Sequence, residues 1–220
     1  MAEQFPSKPS QPHSTLGVDL GSKIAYGFAG FVLSGTLLLT PFAVTPFLRA
    51  RLPYQHTPRE KLKDGFEMIA RNCDKRSLMA LTQKLRFVDL GSGAGEATIM
   101  ATQKGYQALG VEINPTLIII SELKKMRQFG LFTSSSMNCE FRSTNLLSLD
   151  YSKFDVLFMF GVKPLLQVIG PQLIKTDPNT LLLLYRFKLP REGRLISDEF
   201  FEEVERKGEL TLYSRTSKME

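Results

Sequence analysis

The chain has 220 residues and a formal net charge of +6, with 43% hydrophobic and 23% charged residues. This length holds one domain of ordinary size together with a further segment, and the composition excludes a chain that is disordered throughout. The two cysteines, Cys73 and Cys139, are far apart in sequence and have no histidine cluster beside them. We therefore predict neither a disulfide framework nor a metal site.

The positive charge is concentrated in one stretch of the chain. Residues 49–86 contain ten basic and four acidic side chains, a net charge of +6, and the remainder is close to neutral. Basic residues that follow an apolar segment are attracted to anionic lipid headgroups by about 1 kcal/mol each, although a solvated helix face has the same composition. Nucleic-acid binding is disfavoured, because the basic residues are not interleaved with aromatic ones.

The first 48 residues divide into two predicted segments. Residues 1–23 are rich in Pro, Ser and Gln, which predicts a flexible tail. Residues 24–48 form an uncharged run of 25 residues, which as a helix exceeds the roughly 30 Å hydrocarbon core of a bilayer. We predict a transmembrane or membrane-inserted helix that bends or ends near Pro41 and Pro46, with a buried core helix as the alternative.

We predict that residues 49–84 form a basic linker that contains one amphipathic helix. Leu62, Phe66 and Ile69 fall on one face of a helix over Glu60–Arg71. This apolar face is expected to pack against the sheet that follows.

Residues 85–220 predict an α/β domain in which short strands alternate with helices. The expected strands lie at 85–90, 108–112, 139–143, 154–160, 181–187 and 210–214, and the first helices at 96–104 and 115–128. Ser197 is predicted to cap a last helix, with Asp198 and Glu199 at its positive end. This alternation indicates a Rossmann-like, mostly parallel sheet with helices on both faces.

The turn after the first strand is the candidate ligand cradle, and it contains Asp89, Gly91, Ser92, Gly93 and Gly95. The Gly-x-Gly-x-Gly spacing allows a tight turn and a close approach of the ligand to the backbone. Glu96 stands where a dinucleotide fingerprint has its last glycine, and its charge would repel a pyrophosphate. A sulfonium cofactor carries no phosphate, and its positive sulfur and amino group suit Asp89. We therefore predict binding of S-adenosyl-L-methionine.

Two later strand ends supply further candidates for cofactor contact. Glu112 ends the second strand, where a carboxylate can accept hydrogen bonds from both ribose hydroxyls. Asn145 and Leu146 follow the third strand, where a polar side chain and a backbone amide hold the adenine, although Asn145 could equally form a turn.

Five segments carry a resemblance to a known family: Leu52–Tyr54, Phe87–Gly93, Ala108–Pro115, Phe160–Val162 and Tyr185–Phe187. Together with the apolar segment ahead of them, they resemble the mitochondrial seven-β-strand protein lysine methyltransferases that modify the c subunit of ATP synthase and the adenine nucleotide translocase. The resemblance implies a seven-strand methyltransferase sheet with S-adenosyl-L-methionine as its cofactor.

The resemblance also implies a substrate and a location. The implied reaction is N-methylation of a lysine in a membrane-embedded protein, by an enzyme anchored in the mitochondrial inner membrane with its catalytic domain facing the matrix. Asn114 joins the cofactor-binding residues through its motif. Phe160, at the end of the fourth strand, is a candidate wall of the lysine channel, and Tyr54 is a candidate for substrate or cofactor contact, with simple packing as the alternative for both. Asn145 stands where the family tends to have an acid, and no general base is assigned.

Two other functions stay open at this stage. The first is a methyltransferase of a small lipophilic molecule, such as a quinone precursor. The second is a non-catalytic, membrane-anchored protein that binds the cofactor, which the presence of both Asp89 and Glu112 disfavours.

Overall fold

The computed structural model describes residues 20–49, 57–73, 84–131, 133–161, 163–189 and 200–216. In the first of these segments, side chains are described from 21 to 36. The chain divides into two units, residues 1–45 and 46–220.

Helix α1 (Leu20–Arg49) occupies the predicted apolar segment. It begins four residues before the predicted start, so positions 20–23 are helical, and positions 1–19 of the predicted tail lie outside the described residues. We predicted that the helix would bend or end near Pro41 and Pro46, and it does not end there but continues past both positions. Each proline removes a single backbone donor, and the flanking turns keep theirs.

The polar side chains in the middle of α1 are satisfied within the helix. The Ser34 hydroxyl donates to the Gly30 carbonyl oxygen at 2.7 Å, and the Thr36 hydroxyl donates to the Val32 carbonyl oxygen at 2.8 Å. In the part of the chain that the structure describes, no helix is both long enough and apolar enough to cross a bilayer. The predicted membrane span is therefore not confirmed.

Helix α2 (Arg59–Cys73) confirms the predicted amphipathic helix to within two residues at each end. Its Leu62, Phe66 and Ile69 side chains are buried, as their spacing predicts. Polar contacts fix its other side, because Lys207 donates to an Asp64 carboxylate oxygen at 2.8 Å.

Seven strands form one sheet in the order β3-β2-β1-β4-β5-β7-β6. Strands β1 to β5 pair in parallel, whereas β7 runs antiparallel to both β5 and β6. All six predicted strands are present, with small shifts at their ends. The strands are β1 (Arg86–Leu90), β2 (Gln107–Glu112), β3 (Cys139–Ser143), β4 (Val156–Phe160), β5 (Leu181–Tyr185), β6 (Phe201–Lys207) and β7 (Leu210–Arg215).

Helices cover both faces of the sheet, as predicted. On one face, α2 and α3 (Glu96–Gln103) pack on apolar side chains that include Phe87 and Phe158. On the other face, α6 (Lys163–Leu173) packs on side chains that include Met159. The remaining helices are α4 (Pro115–Phe129), which ends at the predicted Gly130, and the short α5 (Ser134–Met137). The parallel strands therefore have two apolar layers, one on each face.

Strand β6 stands where we predicted a helix capped by Ser197, and that prediction is wrong. Ser197 itself lies outside the described residues, and residues 201–207 pair with β7. Their composition favours a helix, but Gly208, with φ of 62°, turns the chain back so that β6 becomes the edge of the sheet. The charged side chains are largely exposed at this edge, where they discourage pairing with another chain.

Candidate functional site

A cavity of about 600 Å³ opens at the carboxyl ends of β1, β2, β4 and β5. This is the edge where parallel α/β sheets bind ligands. On one side the lining comes from the glycine turn, the ends of β1 and β2 and the segment after β3, and on the other side from the ends of β4 and β5 and from α6; Thr57 and Leu62 also contribute. We call these the cofactor half and the substrate half.

Three glycines of the turn have left-handed backbone conformations, with φ of 83° at Gly91, 54° at Gly93 and 83° at Gly95. The backbone amides of Gly91 and Ser92 both donate to the Val111 carbonyl oxygen at 2.9 Å. These bonds tie the turn to β2, so the cradle is fixed before any ligand enters.

Gly91 and Gly95 have different surroundings. A Cβ at Gly91 would meet no described protein atom within 4 Å, and Gly91 lines the cavity. A Cβ at Gly95 would lie 2.6 Å from the Phe141 ring and 2.9 Å from the Ser121 hydroxyl oxygen. Gly91 therefore leaves space for a ligand, whereas Gly95 allows the turn to pack against the domain.

Ser92 lines the cavity and has a buried hydroxyl. Its side chain is 7% exposed, and its hydroxyl oxygen has no hydrogen-bond partner among the described residues. Buried polar groups are rarely left unsatisfied. An unpaired buried hydroxyl in the wall of a cavity is expected where a ligand completes the site.

Glu112 is bound to the turn instead of being a solvated strand end. One carboxylate oxygen accepts from the Gly93 amide at 3.0 Å, and the other accepts from the amides of Ile113 and Asn114 at 2.9 and 3.0 Å. The oxygen that accepts from Gly93 keeps one further lone pair, whereas the other oxygen already accepts two hydrogen bonds, so one of the two predicted bonds to ribose hydroxyls stays chemically open. Glu112 thus shapes the cradle in addition to lining it.

Asp89 lies at the base of the turn and is 3% exposed. Its carboxylate accepts a hydrogen bond from the Thr98 hydroxyl of α3 at 3.2 Å. Burial, together with the neighbouring Glu112 and Glu96 carboxylates, raises the pKa of Asp89 to about 7. A cation placed in the cofactor half would favour the ionised form.

The remaining predicted cofactor residues take different places. The Asn114 side chain caps α4 by accepting from the Thr116 amide at 3.0 Å, and it does not line the cavity. The Asn145 side chain accepts from the Leu147 amide at 3.0 Å, which is the turn-forming alternative, but Asn145 and Leu146 do line the cavity. Asn145 therefore keeps its amide nitrogen for a ligand.

The substrate half contains residues that were not predicted as site residues. Phe160, the predicted substrate contact, lines the cavity together with Arg186 and Phe187 at the end of β5. Arg186 has φ of 75°, an uncommon conformation for a residue with a side chain. That conformation cannot be read from a sequence, and the only sequence signal at Arg186 was that Tyr185–Phe187 is one of the segments that carry the family resemblance. Tyr54 lies outside the described residues.

The cofactor half fits S-adenosyl-L-methionine on three features of this chain. The space at Gly91 admits a ligand against the backbone, the Ser92 hydroxyl lacks a protein partner among the described residues, and the acids at Asp89 and Glu112 suit a cationic ligand that has ribose hydroxyls. A pyrophosphate would instead face Glu96 and Glu112 as well as Asp89, so a dinucleotide fits poorly.

Residues 89–193 match the family model described as the ANTKMT methyltransferase domain. The match begins at Asp89 and includes the glycine turn, Glu112 and the ends of β4 and β5. Just under half of the chain is therefore similar to this methyltransferase family. The resemblance predicted from the sequence is confirmed.

Curated relatives agree with the family model. The chain is 26% identical over 175 residues to the ATP synthase C-subunit lysine N-methyltransferase of Caenorhabditis elegans, covering 80% of this chain and 87% of the relative. It is 28% identical over 172 residues to the Homo sapiens protein of the same name, covering 73% of this chain and 66% of the relative.

Two solved methyltransferase structures share the fold of this chain. An RNA methyltransferase from Salinibacter ruber, in complex with S-adenosyl-L-homocysteine, has a TM-score of 0.56 at 22% identity, over 76% of this chain and 97% of that chain. A ribosomal protein L11 methylase from Lactobacillus delbrueckii subsp. bulgaricus has a TM-score of 0.51 at 18% identity, over 70% and 80% of the two chains. At these identities the likeness shows the seven-strand methyltransferase fold.

Proposed function

We propose that this chain is an S-adenosyl-L-methionine-dependent protein-lysine N-methyltransferase whose target is the c subunit of ATP synthase or a membrane protein of the adenine nucleotide translocase type. The names of the curated relatives supply the target, and the family model supplies the reaction class.

One observation carries the proposal from cofactor binding to methyl transfer. A single cavity joins the glycine cradle to an apolar half lined by Phe160, Leu165, Val168 and Phe187. A cofactor held at the cradle and a side chain that enters the apolar half would meet in the same space. Such an arrangement serves group transfer between two bound molecules better than storage of one ligand.

The cofactor, when bound, would supply a methyl group whose carbon–sulfur bond breaks as the neutral lysine nitrogen bonds to the carbon, leaving S-adenosyl-L-homocysteine and a proton that is released to solvent. The residues of this chain bind the cofactor and the lysine, orient them toward each other and exclude water. Lysine has a pKa near 10.4 in water, and the apolar substrate half favours its neutral form because burial disfavours the charged one. We assign no general base.

We also propose that the protein works at the mitochondrial inner membrane, with α1 inserted in the membrane and the catalytic domain facing the matrix. The relatives are named for a component of ATP synthase. The hydroxyls in the middle of α1 are satisfied internally, and the basic stretch 49–86 follows the helix, as in proteins attracted to anionic lipid.

The reaction is tested by incubating the full chain with methyl-labelled cofactor and mitochondrial membranes, and by locating the label with mass spectrometry. We expect label on a lysine of the ATP synthase c subunit or of the translocase, and none with the Glu112→Ala variant. Label in an organic-soluble small molecule would contradict the lysine assignment, because the apolar half would then serve a lipophilic substrate.

The membrane proposal is tested by alkaline carbonate extraction of mitochondria that contain the full chain. We expect the protein in the pellet with other inserted proteins. Its recovery in the supernatant, with a peripheral matrix protein as the reference, would reject insertion of α1.

A further inference from the structure

A cluster of charged and aromatic side chains closes the substrate half at the ends of β4 and β5. The Arg186 guanidinium carbon lies 5.7 Å from the centroid of the Phe160 ring, within the range of a cation–π contact. The Arg186 Nε atom lies 3.5 Å from a Glu209 carboxylate oxygen. Both Phe160 and Arg186 line the cavity, whereas Glu209 does not.

Glu209 fixes this cluster through three contacts. Its backbone carbonyl accepts from the Arg186 amide at 2.8 Å, and its other carboxylate oxygen accepts from the Tyr185 hydroxyl at 3.1 Å. The Tyr185 ring packs edge-on against Phe160, with centroids 5.3 Å apart and planes at 80°. The left-handed conformation of Arg186 is therefore held by its surroundings, as is expected where unfavourable backbone serves a site.

We propose that Arg186 is a specificity-determining residue for the target lysine, because its cation at the cavity wall favours entry of the neutral amine, and that Glu209 is the positioning residue that holds it there. This inference rests on the proposed function. Arg186 lines the cavity and Glu209 does not, so the cation lies nearer to the substrate half than its paired carboxylate and makes a positive contribution to the field there. A positive field destabilises an ammonium group and leaves an uncharged amine unaffected.

Other charged groups face the cavity from the neighbouring elements. Asp89, Glu96 and Glu112 line the cofactor half, and β1 lies two strands from β5 in the sheet, roughly 10 Å away at the usual strand spacing. Lys163 begins α6 and is exposed. Because these groups are the same in every variant compared, a difference between variants reports Arg186 and Glu209.

The test is the pH profile of kcat at saturating substrate, which reports groups in the enzyme–substrate complex. Arg186→Met leaves the Glu209 carboxylate without its cation, so the rise of kcat should move to higher pH. Glu209→Gln leaves the cation without its carboxylate, so the rise should move to lower pH. For partly exposed charges at this range we expect shifts on the order of half to one pH unit in each direction.

Two control variants separate charge from packing. Arg186→Lys keeps the charge and should restore the wild-type midpoint. Tyr185→Phe removes a hydrogen bond to Glu209 without changing any charge at neutral pH, and it should leave the midpoint where it is. Calorimetry should show unchanged affinity for S-adenosyl-L-methionine in all four variants. Shifts of Arg186→Met and Glu209→Gln in the same direction, or no shift in either, would overturn the proposal.

A second readout does not depend on methylation of a protein. With S-adenosyl-L-homocysteine present, the pKa of bound ¹³C-labelled n-butylamine can be followed by NMR in the same variants. We expect it to be lowest in Glu209→Gln, intermediate in wild type and highest in Arg186→Met. If this order is seen but no lysine in membranes is methylated, the proposed function is wrong and the role of Arg186 stands. If lysine is methylated but this order is not seen, the proposed function stands and the role of Arg186 is wrong.

Discussion

Replacing Gly91 with alanine is expected to weaken binding of S-adenosyl-L-methionine by roughly 10- to 100-fold, equivalent to about 1.4–2.8 kcal/mol, while the domain stays folded. The added Cβ would meet no described protein atom within 4 Å, and Gly91 lines the cavity. The methyl group added at position 91 therefore obstructs the ligand without disturbing the packing of the protein. The left-handed φ of 83° adds a modest strain of about 1–2 kcal/mol.

Gly95→Ala is the matched control, because Gly95 has the same φ of 83°. Its Cβ would lie 2.6 Å from the Phe141 ring and 2.9 Å from the Ser121 hydroxyl oxygen. Overpacking and strain together should lower the free energy of unfolding by about 2–5 kcal/mol. Thermal unfolding and calorimetry on both variants decide the matter. A loss of stability with Gly91→Ala as large as that with Gly95→Ala would show that Gly91 is structural.

The second large effect is an opposite dependence of stability and cofactor affinity on pH, both caused by Asp89. Burial raises its pKa from 3.8 in the unfolded chain to about 7 in the folded one. The resulting contribution to stability is present below about pH 4 and is lost as the pH rises through 7, on the order of 4 kcal/mol in all. A cationic cofactor needs the ionised carboxylate, so its affinity should rise over the same range, by up to roughly tenfold per pH unit below 7.

Asp89→Asn removes the titrating group and keeps its shape, so both dependences should flatten. Urea unfolding and calorimetry between pH 5.5 and 7.5 measure the two quantities on wild type and variant. If the affinity of wild type is flat across this range, Asp89 does not pair with the cofactor.

The sequence predicts the strands well because their apolar runs are short and bounded by turn residues. Leu181–Tyr185 is an unbroken apolar stretch, which only a strand buried on both faces requires. β6 was missed because Glu203, Glu205 and Arg206 favour a helix locally. Pairing with β7 over six residue positions overrides that preference, and such long-range pairing leaves no local signature.

One part of the candidate site could be predicted from the sequence and the other part could not. The cofactor half could be predicted because Gly91, Gly93 and Glu112 have backbone and charge requirements that few residue types meet. The substrate half depends on which side chains the fold brings to the ends of β4 and β5. Arg186 meets Glu209 across 22 intervening residues of sequence, because β5 pairs with β7, and the sequence does not show which strands pair.

The most direct measurement is a crystal structure of the protein with S-adenosyl-L-homocysteine. We expect the ligand along the turn from Asp89 to Gly95, with a ribose hydroxyl bonded to Glu112, the Ser92 hydroxyl newly satisfied, and the adenine beside Asn145 and Leu146. Its sulfur should point toward the half of the cavity lined by Phe160 and Arg186. Ligand density elsewhere in the molecule, or at the turn with the ribose away from Glu112, would contradict the account.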